Sequence, residues 1–528
     1  MNLTPTQKGW ERIGKCHHHG LVIPLFSLST ATGLGIGTFH DLKLLIDFCA
    51  AIGFDTIQLL PLSDSGSDTS PYNGMSAFAL APIYITLENL PFLSEFRILE
   101  NLLRRFSRYK PLDRVAYHAL LQQKIAFLKE YAYMTRPLFE KDLAYQSFVE
   151  SNPWLKEYSL YKLFKVKNRK KIWGHWPKIH RDPTRAHIKK MYEKEKFELF
   201  RFELTQYLAF KQLSEVKTYA NQKKIFLKGD IPILISPESA DVWAHREIFD
   251  LDFAAGAPPD RFSKTGQYWG FPVYRWDSLF RTDLSWWKSR LSLSSTIYDI
   301  FRIDHIIGLY RMWTIPRGRL PSEGSYIPAE KWQALLQGET ILKSLLSLTE
   351  MLPIGEDLGI DIDHIRASME KMEIPGTKVL RWERRFENGN EFIPFEEYTP
   401  YSLTTVSTHD SETLAGWWEL YPDESKDYSA FRGHAWEPTL TDELRFALLR
   451  DSHITPSFFH VNLFQEYLSL FSRYRFRAPG DDRVNIPGKL SPVNWTFRYK
   501  ADLETLLEDD ELISTMRSFS ESRLPLHN

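Results

Sequence analysis

Cysteine is nearly missing from this chain: Cys16 and Cys49 are the only two among 528 residues. Two thiols cannot form a disulfide framework, and such usage fits a reducing compartment. Long apolar runs are missing as well, and none approaches the roughly 20 residues that a membrane span requires. The segment Met1 to Lys15 is polar and has no apolar h-region, so no secretion signal is expected. Net charge is also lacking, since 66 basic and 67 acidic residues leave a formal charge of -1. That balance gives no bulk attraction to nucleic acid or anionic lipid, and neither is expected as a partner. There is no internal repeat and no low-complexity tract. These absences point to a cytoplasmic protein.

Aromatic residues, in contrast, are plentiful, at 14% of the chain with 16 tryptophans. Most such rings must fill a large core, and some would line a groove and stack on flat ligand faces. Strand-like runs alternate with helical stretches. They are Leu21 to Phe26, Thr56 to Leu62, Ile225 to Pro232, Ile297 to Asp304, Leu352 to Glu356, Lys378 to Trp382, Leu403 to Asp410 and His460 to Phe464. A helical segment is predicted around Asp41 to Ile52. From about Pro91 to Asn221 the chain is charged and patterned for helix. Within it, Met191 to Val216 mixes Lys and Glu with apolar residues at three and four spacing, as an amphipathic helix packed on a larger body does. Asp502 to Asn528 is acidic and then basic, and is predicted to be a closing helix with a loose tail. Length alone would allow several domains, but a barrel with insertions absorbs it. The expected fold is α/β: a single (β/α)8 TIM barrel over residues 1–528, with a helical insertion at 91–221 and no separate C-terminal β-domain.

Three short acidic segments end three of the apolar runs: Phe301-Arg302-Ile303-Asp304-His305, Gly355-Glu356-Asp357-Leu358-Gly359 and Ser407-Thr408-His409-Asp410. A carboxylate at the C-terminal end of a barrel strand points into the mouth, where barrel enzymes do their chemistry. Each segment alone would be read as an ion pair, a helix-terminal acid or a cap, because those are common. Three together at strand ends point to work on a glycosidic bond. A retaining glycosidase needs a carboxylate nucleophile and a carboxylic acid about 5–5.5 Å apart. Asp304 is the candidate nucleophile, with Arg302 on the same strand face expected to hold it ionised. Glu356 is the candidate acid/base, expected to have a raised pKa. Asp410 is expected to hold sugar hydroxyls, with His409 donating beside it. No metal is required, and no cofactor is expected. Cys16-His17-His18-His19 looks metal-like, but adjacent histidines alternate faces on a strand and no second ligand cluster is suitably spaced.

Further motifs resemble the 4-α-glucanotransferases (amylomaltase or disproportionating enzyme) of glycoside hydrolase family 77, in the α-amylase clan. Asp55-Thr56-Ile57-Gln58-Leu59-Leu60-Pro61-Leu62 is similar to the family's second strand. Ser70-Pro71-Tyr72-Asn73 with Ser76-Ala77-Phe78-Ala79 resembles its donor-side loop. Gly229-Asp230-Ile231-Pro232 and Ser239-Ala240-Asp241-Val242-Trp243 resemble the third-strand region. Gly256-Ala257-Pro258-Pro259-Asp260 with Gly266-Gln267-Tyr268-Trp269-Gly270 is the most family-specific stretch, and Asn485-Ile486-Pro487-Gly488 with Asn494-Trp495 resembles the C-terminal signature. The resemblance implies that Asp304 is nucleophile, Glu356 acid/base and Asp410 transition-state stabiliser, with Arg302 and His409 in support. It implies transfer between α-1,4-glucans and maltooligosaccharides. An α-amylase-like hydrolase would use the same residues, and a non-catalytic glucan-binding scaffold would not need the intact acidic set.

The Gly- and Pro-rich loop at 256–275 is expected to flap over the groove. There Phe262, Tyr268 and Trp269 would stack on glucose units, while Asp260 and Ser263 would reach hydroxyls. Excluding water would let a sugar hydroxyl attack the intermediate. Tyr72 is placed to stack beneath a sugar, Asp230 to bond Arg302, and Asn485 to bond substrate or fix its own loop. Four residues depart from the family pattern: Asn73 where Gln is usual, Ile306-Ile307 where Phe and Arg are usual, and Lys489 where Thr is common. They bear on donor-side contacts, not on the carboxylates.

Overall fold

Runs such as Phe301-Arg302-Ile303 and Leu352-Pro353-Ile354 are buried on both faces. Only a strand flanked on both sides by protein can accommodate that, as in a parallel barrel wrapped by helices. In the computed structural model, which describes residues 4–259, 263–359, 361–385, 390–489 and 491–521, eight such strands close on themselves. They are β1 (His18–Ile23), β2 (Thr56–Leu59), β3 (Phe226–Pro232), β4 (Ile300–Asp304), β5 (Leu352–Gly355), β6 (Gly376–Val379), β7 (Ser402–Thr405) and β8 (Phe459–Leu463). All pairings are parallel, and β8 closes on β1 from His18 opposite Phe459 to Val22 opposite Leu463. After β8 the described chain continues in loops and helices to Glu521, with no further strand among the described residues. The described residues form a (β/α)8 barrel with helical insertions, and among them there is no separate C-terminal β-domain.

Each expected strand overlaps an observed one, and the differences lie at the ends. The first strand stops at Ile23, because Pro24 has no N–H to donate and Leu25–Ser27 turns as a 3-10 helix. The sixth begins at Gly376, and its expected tail Leu380–Trp382 is again a 3-10 turn. The seventh ends at Thr405, so Ser407 to Asp410 lies in the turn beyond it. The stretch read as a loop around Gly256 is partly sheet. Phe253–Ala257 pairs antiparallel with Gln267–Tyr268 and with Met312–Pro316, which in turn pairs with Ser325–Ile327.

Between β2 and β3 the chain forms a body of helices, among them Tyr117–Phe139, Trp154–Lys167 and Arg185–Gln222. The last runs for 38 residues and contains the expected Met191 to Val216 amphipathic stretch. Two buried glutamines on it satisfy main-chain groups of the segment that follows the β2 loop. Gln206 accepts from Leu80 N–H at 2.8 Å and donates to Leu80 C=O at 2.9 Å, and Gln212 does the same for Thr86 at 2.8 and 2.8 Å. Asp64, in the same loop, accepts from Tyr158 Oη at 2.6 Å and Lys162 Nζ at 2.7 Å. The helices therefore brace the loop that carries Tyr72. The C-terminal segment forms two helices, Leu503–Leu507 and Asp510–Glu521, and its expected tail lies outside the described residues. Among the described residues no helix is long and apolar enough to cross a membrane.

Candidate active site

Side chains alternate along a strand, so Arg302 and Asp304 of β4 share the inner face while Ile303 points away. Arg302 is 8% exposed and sits at the centre of the site. Its Nη1 donates to both carboxylate oxygens of Asp230 at 2.8 Å and to Asp304 Oδ1 at 2.7 Å. Its Nη2 lies 3.1 Å from Glu356 Oε2. One planar fork thus holds carboxylates from β3, β4 and the residue after β5, a task suited to guanidinium geometry. Asp230 bonds Arg302 as expected from its place at the third strand.

Glu356 has a second anchor. His305 takes the left-handed backbone conformation, with φ 53°, and its N–H donates to Glu356 Oε2 at 2.8 Å. Such a conformation costs a bulky residue about 1–3 kcal/mol and is typical of functional turns. The turn beyond Glu356 is fixed by Asp357, which accepts from Thr377 N at 2.6 Å and Arg366 Nε at 2.8 Å. Gly376 makes room for it: a Cβ there would lie 2.8 Å from Asp357 Oδ2. Ile306 and Ile307 are buried, and they meet the space beside Gly355 and Gly359. The two departures from the family pattern thus pack behind the Glu356 turn.

Asp410 stands across the mouth, in the turn after β7. Its carboxylate lies 3.2 Å from His409 Nε2 and accepts from Asn485 Nδ2 at 2.7 Å. Asn485 therefore neither fixes only its own loop nor stands apart; it orients Asp410. Tyr72 links the two sides. Its hydroxyl donates to Asp230 Oδ2 at 2.7 Å, and its ring stacks on His409 at 5.3 Å with 10° between planes. Trp495, also left-handed at φ 60°, packs within 5.8 Å of Tyr72 and 6.0 Å of His409. Side-chain exposure separates the acids: Asp230 is 0% exposed, Asp304 and Glu356 are 24%, and Asp410 is 47%. Asp230 is thus a buried counter-ion, while the other three face the cleft. Replacing Tyr72 with Phe keeps the stack but leaves Asp230 one donor short. A loss of about 0.5–1.5 kcal/mol in stability is expected, the size of one lost hydrogen bond, and the urea unfolding midpoint would measure it.

The charges distribute differently from the expected pattern. Burial pushes the Asp304 carboxyl up to about 8, more than Arg302 pulls it down, with Glu356 and Asp230 adding repulsion. For Glu356, burial pushes upward too, but Arg302 and the His305 N–H prevail and hold it below the usual carboxylate range. Arg302 was expected to keep Asp304 ionised and Glu356 was expected to be raised; the directions run the other way, because Arg302 is shared among three carboxylates and Glu356 has the extra backbone donor. Asp410 is held down at about 2, burial being outweighed by His409 and Asn485.

Trp269 reaches the site edge-on to His305, with ring centres 4.9 Å apart. Ser263 donates to Gly266 C=O at 2.8 Å, within its own turn. Asp260 and Phe262 lie outside the described residues. Asn73 bonds Asp68 at 2.8 Å rather than facing the acids, and Lys489 is exposed. The histidine run is placed at the start of β1. His17 pairs with His460 at 3.0 Å, His18 with Asp55 at 2.7 Å and His19 with His453 at 2.8 Å. The His460 ring also lies 5.2 Å from that of His17 and 4.9 Å from that of His19. The residues that sequence reading missed are supports: Asp357 and Arg366 behind Glu356, and Arg483, which donates to Asp410 C=O at 3.2 Å. Only Asp357 carried a signal, being part of the Gly-Glu-Asp segment itself.

Comparison with known proteins agrees with this geometry. The 4-alpha-glucanotransferase family model matches residues 23–504. The chain is 38% identical over 512 residues to the 4-alpha-glucanotransferase of Chlamydia caviae, covering 96% of this chain and 95% of that protein. It is 36% identical over 516 residues to that of Chlamydia trachomatis, covering 97% of each. Among solved structures, the amylomaltase of Streptococcus agalactiae in complex with acarbose superposes with a TM-score of 0.77 at 26% identity, covering 96% of this chain and 98% of that one. A family match that runs from the first barrel strand to beyond the last, around an intact set of mouth carboxylates, leaves one conclusion: this chain belongs to the 4-alpha-glucanotransferase family.

Proposed function

We propose that this enzyme moves a segment of an α-1,4-glucan to the 4-hydroxyl of glucose or of another α-1,4-glucan, with retention, through a covalent glycosyl–Asp304 intermediate. The observation that carries this reading is the fork of Arg302, which brings Asp304 and Glu356 onto neighbouring nitrogens of one guanidinium at 2.7 and 3.1 Å. In the first step an Asp304 oxygen bonds to the anomeric carbon while the glycosidic C–O bond breaks, and the Glu356 proton goes to the leaving oxygen. In the second step an acceptor 4-hydroxyl attacks that carbon, its proton returns to Glu356, and Asp304 is released. The productive pair has the proton on Glu356 and Asp304 ionised. A glycosidic oxygen against Glu356 favours that state by giving the proton an acceptor. Asp410, ionised and aimed by Asn485 and His409, is suited to bind the 2- and 3-hydroxyls, whose hydrogen bonds tighten as positive charge develops on the sugar. Tyr72 and Trp269 supply ring faces along the cleft, and Trp269 lies where it would limit water at the β4 end.

Maltotriose separates transfer from hydrolysis. The expected products are glucose and longer maltooligosaccharides with a constant number of reducing ends. A steady rise in reducing ends would instead assign the site to hydrolysis. The anomeric configuration of early products, read by proton NMR, checks retention.

A further inference from the structure

Glu466 lies on the short helix Phe464–Leu468, directly after β8, and is 1% exposed. A buried carboxylate needs donors, and its donors come from the two ends of the turn that bears Asp410. Ser407 Oγ donates to Oε1 at 2.5 Å, and Leu414 N–H donates to Oε1 at 3.0 Å and Oε2 at 3.3 Å. The turn between them is tied internally by Thr408 N–H to Ser411 Oγ at 3.0 Å. The loop of Arg483 and Asn485 also holds Asp410: Arg483 donates to its C=O at 3.2 Å and Asn485 to its carboxylate at 2.7 Å. Glu466 differs from them because a barrel strand anchors it. We propose that Glu466 is a positioning residue for the transfer reaction: by gripping both ends of the Ser407–Leu414 turn, it sets where Asp410 and His409 stand in the barrel mouth. The inference rests on the reading of Asp410 as the group that binds sugar hydroxyls.

The grip is strongest when Glu466 is ionised, since both ends then donate to it. Burial pushes its carboxyl up to about 7, with Asp482 adding repulsion, while Ser407, the Leu414 N–H and Arg445 act the other way. Arg381 is the further charge that feels Glu466, and Tyr467 is its titratable neighbour on the helix. Protonation replaces one acceptor with a donor and loosens one end of the turn.

The test compares wild type with Glu466→Gln, Ser407→Ala, the double variant and Asp410→Asn, all on maltotriose from pH 5.5 to 8.5. Glu466→Gln should lower kcat/KM by about 10- to 100-fold, the scale expected when a reacting group is displaced by about 1 Å. The loss should be largely in kcat. Wild type should show a partial step near pH 7 that the variant lacks. Ser407→Ala should lose less, and the double variant should be no worse than Glu466→Gln, because both changes cut the same contact. A folded Glu466→Gln enzyme within twofold of wild type and with the same pH step overturns the proposal. Should that variant not fold, an unchanged rate and pH profile in Ser407→Ala overturns it equally. If Asp410→Asn itself is without effect, the reading of Asp410 fails; if Asp410→Asn is costly while the others are silent, only the role of Glu466 fails.

Discussion

Asp304→Asn should reduce maltotriose turnover by about 10⁴-fold, the scale seen when a catalytic nucleophile is removed, while binding of maltooligosaccharide survives. The amide oxygen can still accept from Arg302, so the fork and the barrel mouth should hold their shape, but an amide does not form the glycosyl intermediate. The Asp304–Glu356 pair governs the basic side of the pH profile. Above the Asp304 value of about 8, Asp304 and Glu356 are both ionised, and no proton remains for the leaving oxygen. Wild-type kcat/KM should therefore fall as pH rises through about 8. The fall belongs to the pair and not to either acid alone. Residual turnover of a few per cent in Asp304→Asn, measured by glucose release, would remove Asp304 from the nucleophile role.

Arg302→Met should damage both folding and chemistry. It leaves the fully buried Asp230 without its cation, and Asp304 and Glu356 without the fork between them. Breaking one partner of a buried ion pair costs about 3–5 kcal/mol, so urea unfolding should shift to a clearly lower midpoint. Turnover should drop by about a thousandfold, as when a preorganised electrostatic group is removed. Arg302→Lys should rescue stability more than rate, since a single ammonium supplies charge without spanning two carboxylates. If Arg302→Met keeps wild-type turnover, the fork does not organise the site.

What could be read from the letters follows from how far each effect reaches. Phe301 to Asp304 was legible because burial, strand alternation and the final acid lie within five residues, and alternation alone puts Arg302 beside Asp304. Tyr72 and Asp230 were legible as site residues, but the hydrogen bond between them joins positions 158 apart. The ends of β1 and β6 were misplaced because an apolar run does not say whether its last turn stays extended or tightens into a 3-10 helix. The directions in which Asp304 and Glu356 shift were illegible for a different reason: they turn on one backbone N–H, that of the left-handed His305, and on how Arg302 divides itself among three acids. Glu466 looked like any helix acid, because its partners lie more than 50 residues earlier.

The pairing of β2 with β3 has a consequence for how the molecule assembles. Thr56 lies opposite Phe226, yet roughly 170 residues of helices separate the two strands in the chain, and the entropy of closing such a loop grows only with the logarithm of its length. Those helices carry most of a second apolar nucleus, around Tyr158, Tyr161, Phe164 and Trp176, which Trp243 joins from beyond β3. Helices that pack early on this nucleus would bring the strand ends together before the ring of strands closes, since non-local strand pairing is slow. Faults at Gln206 or Gln212 should then show in refolding kinetics before they show in sugar transfer.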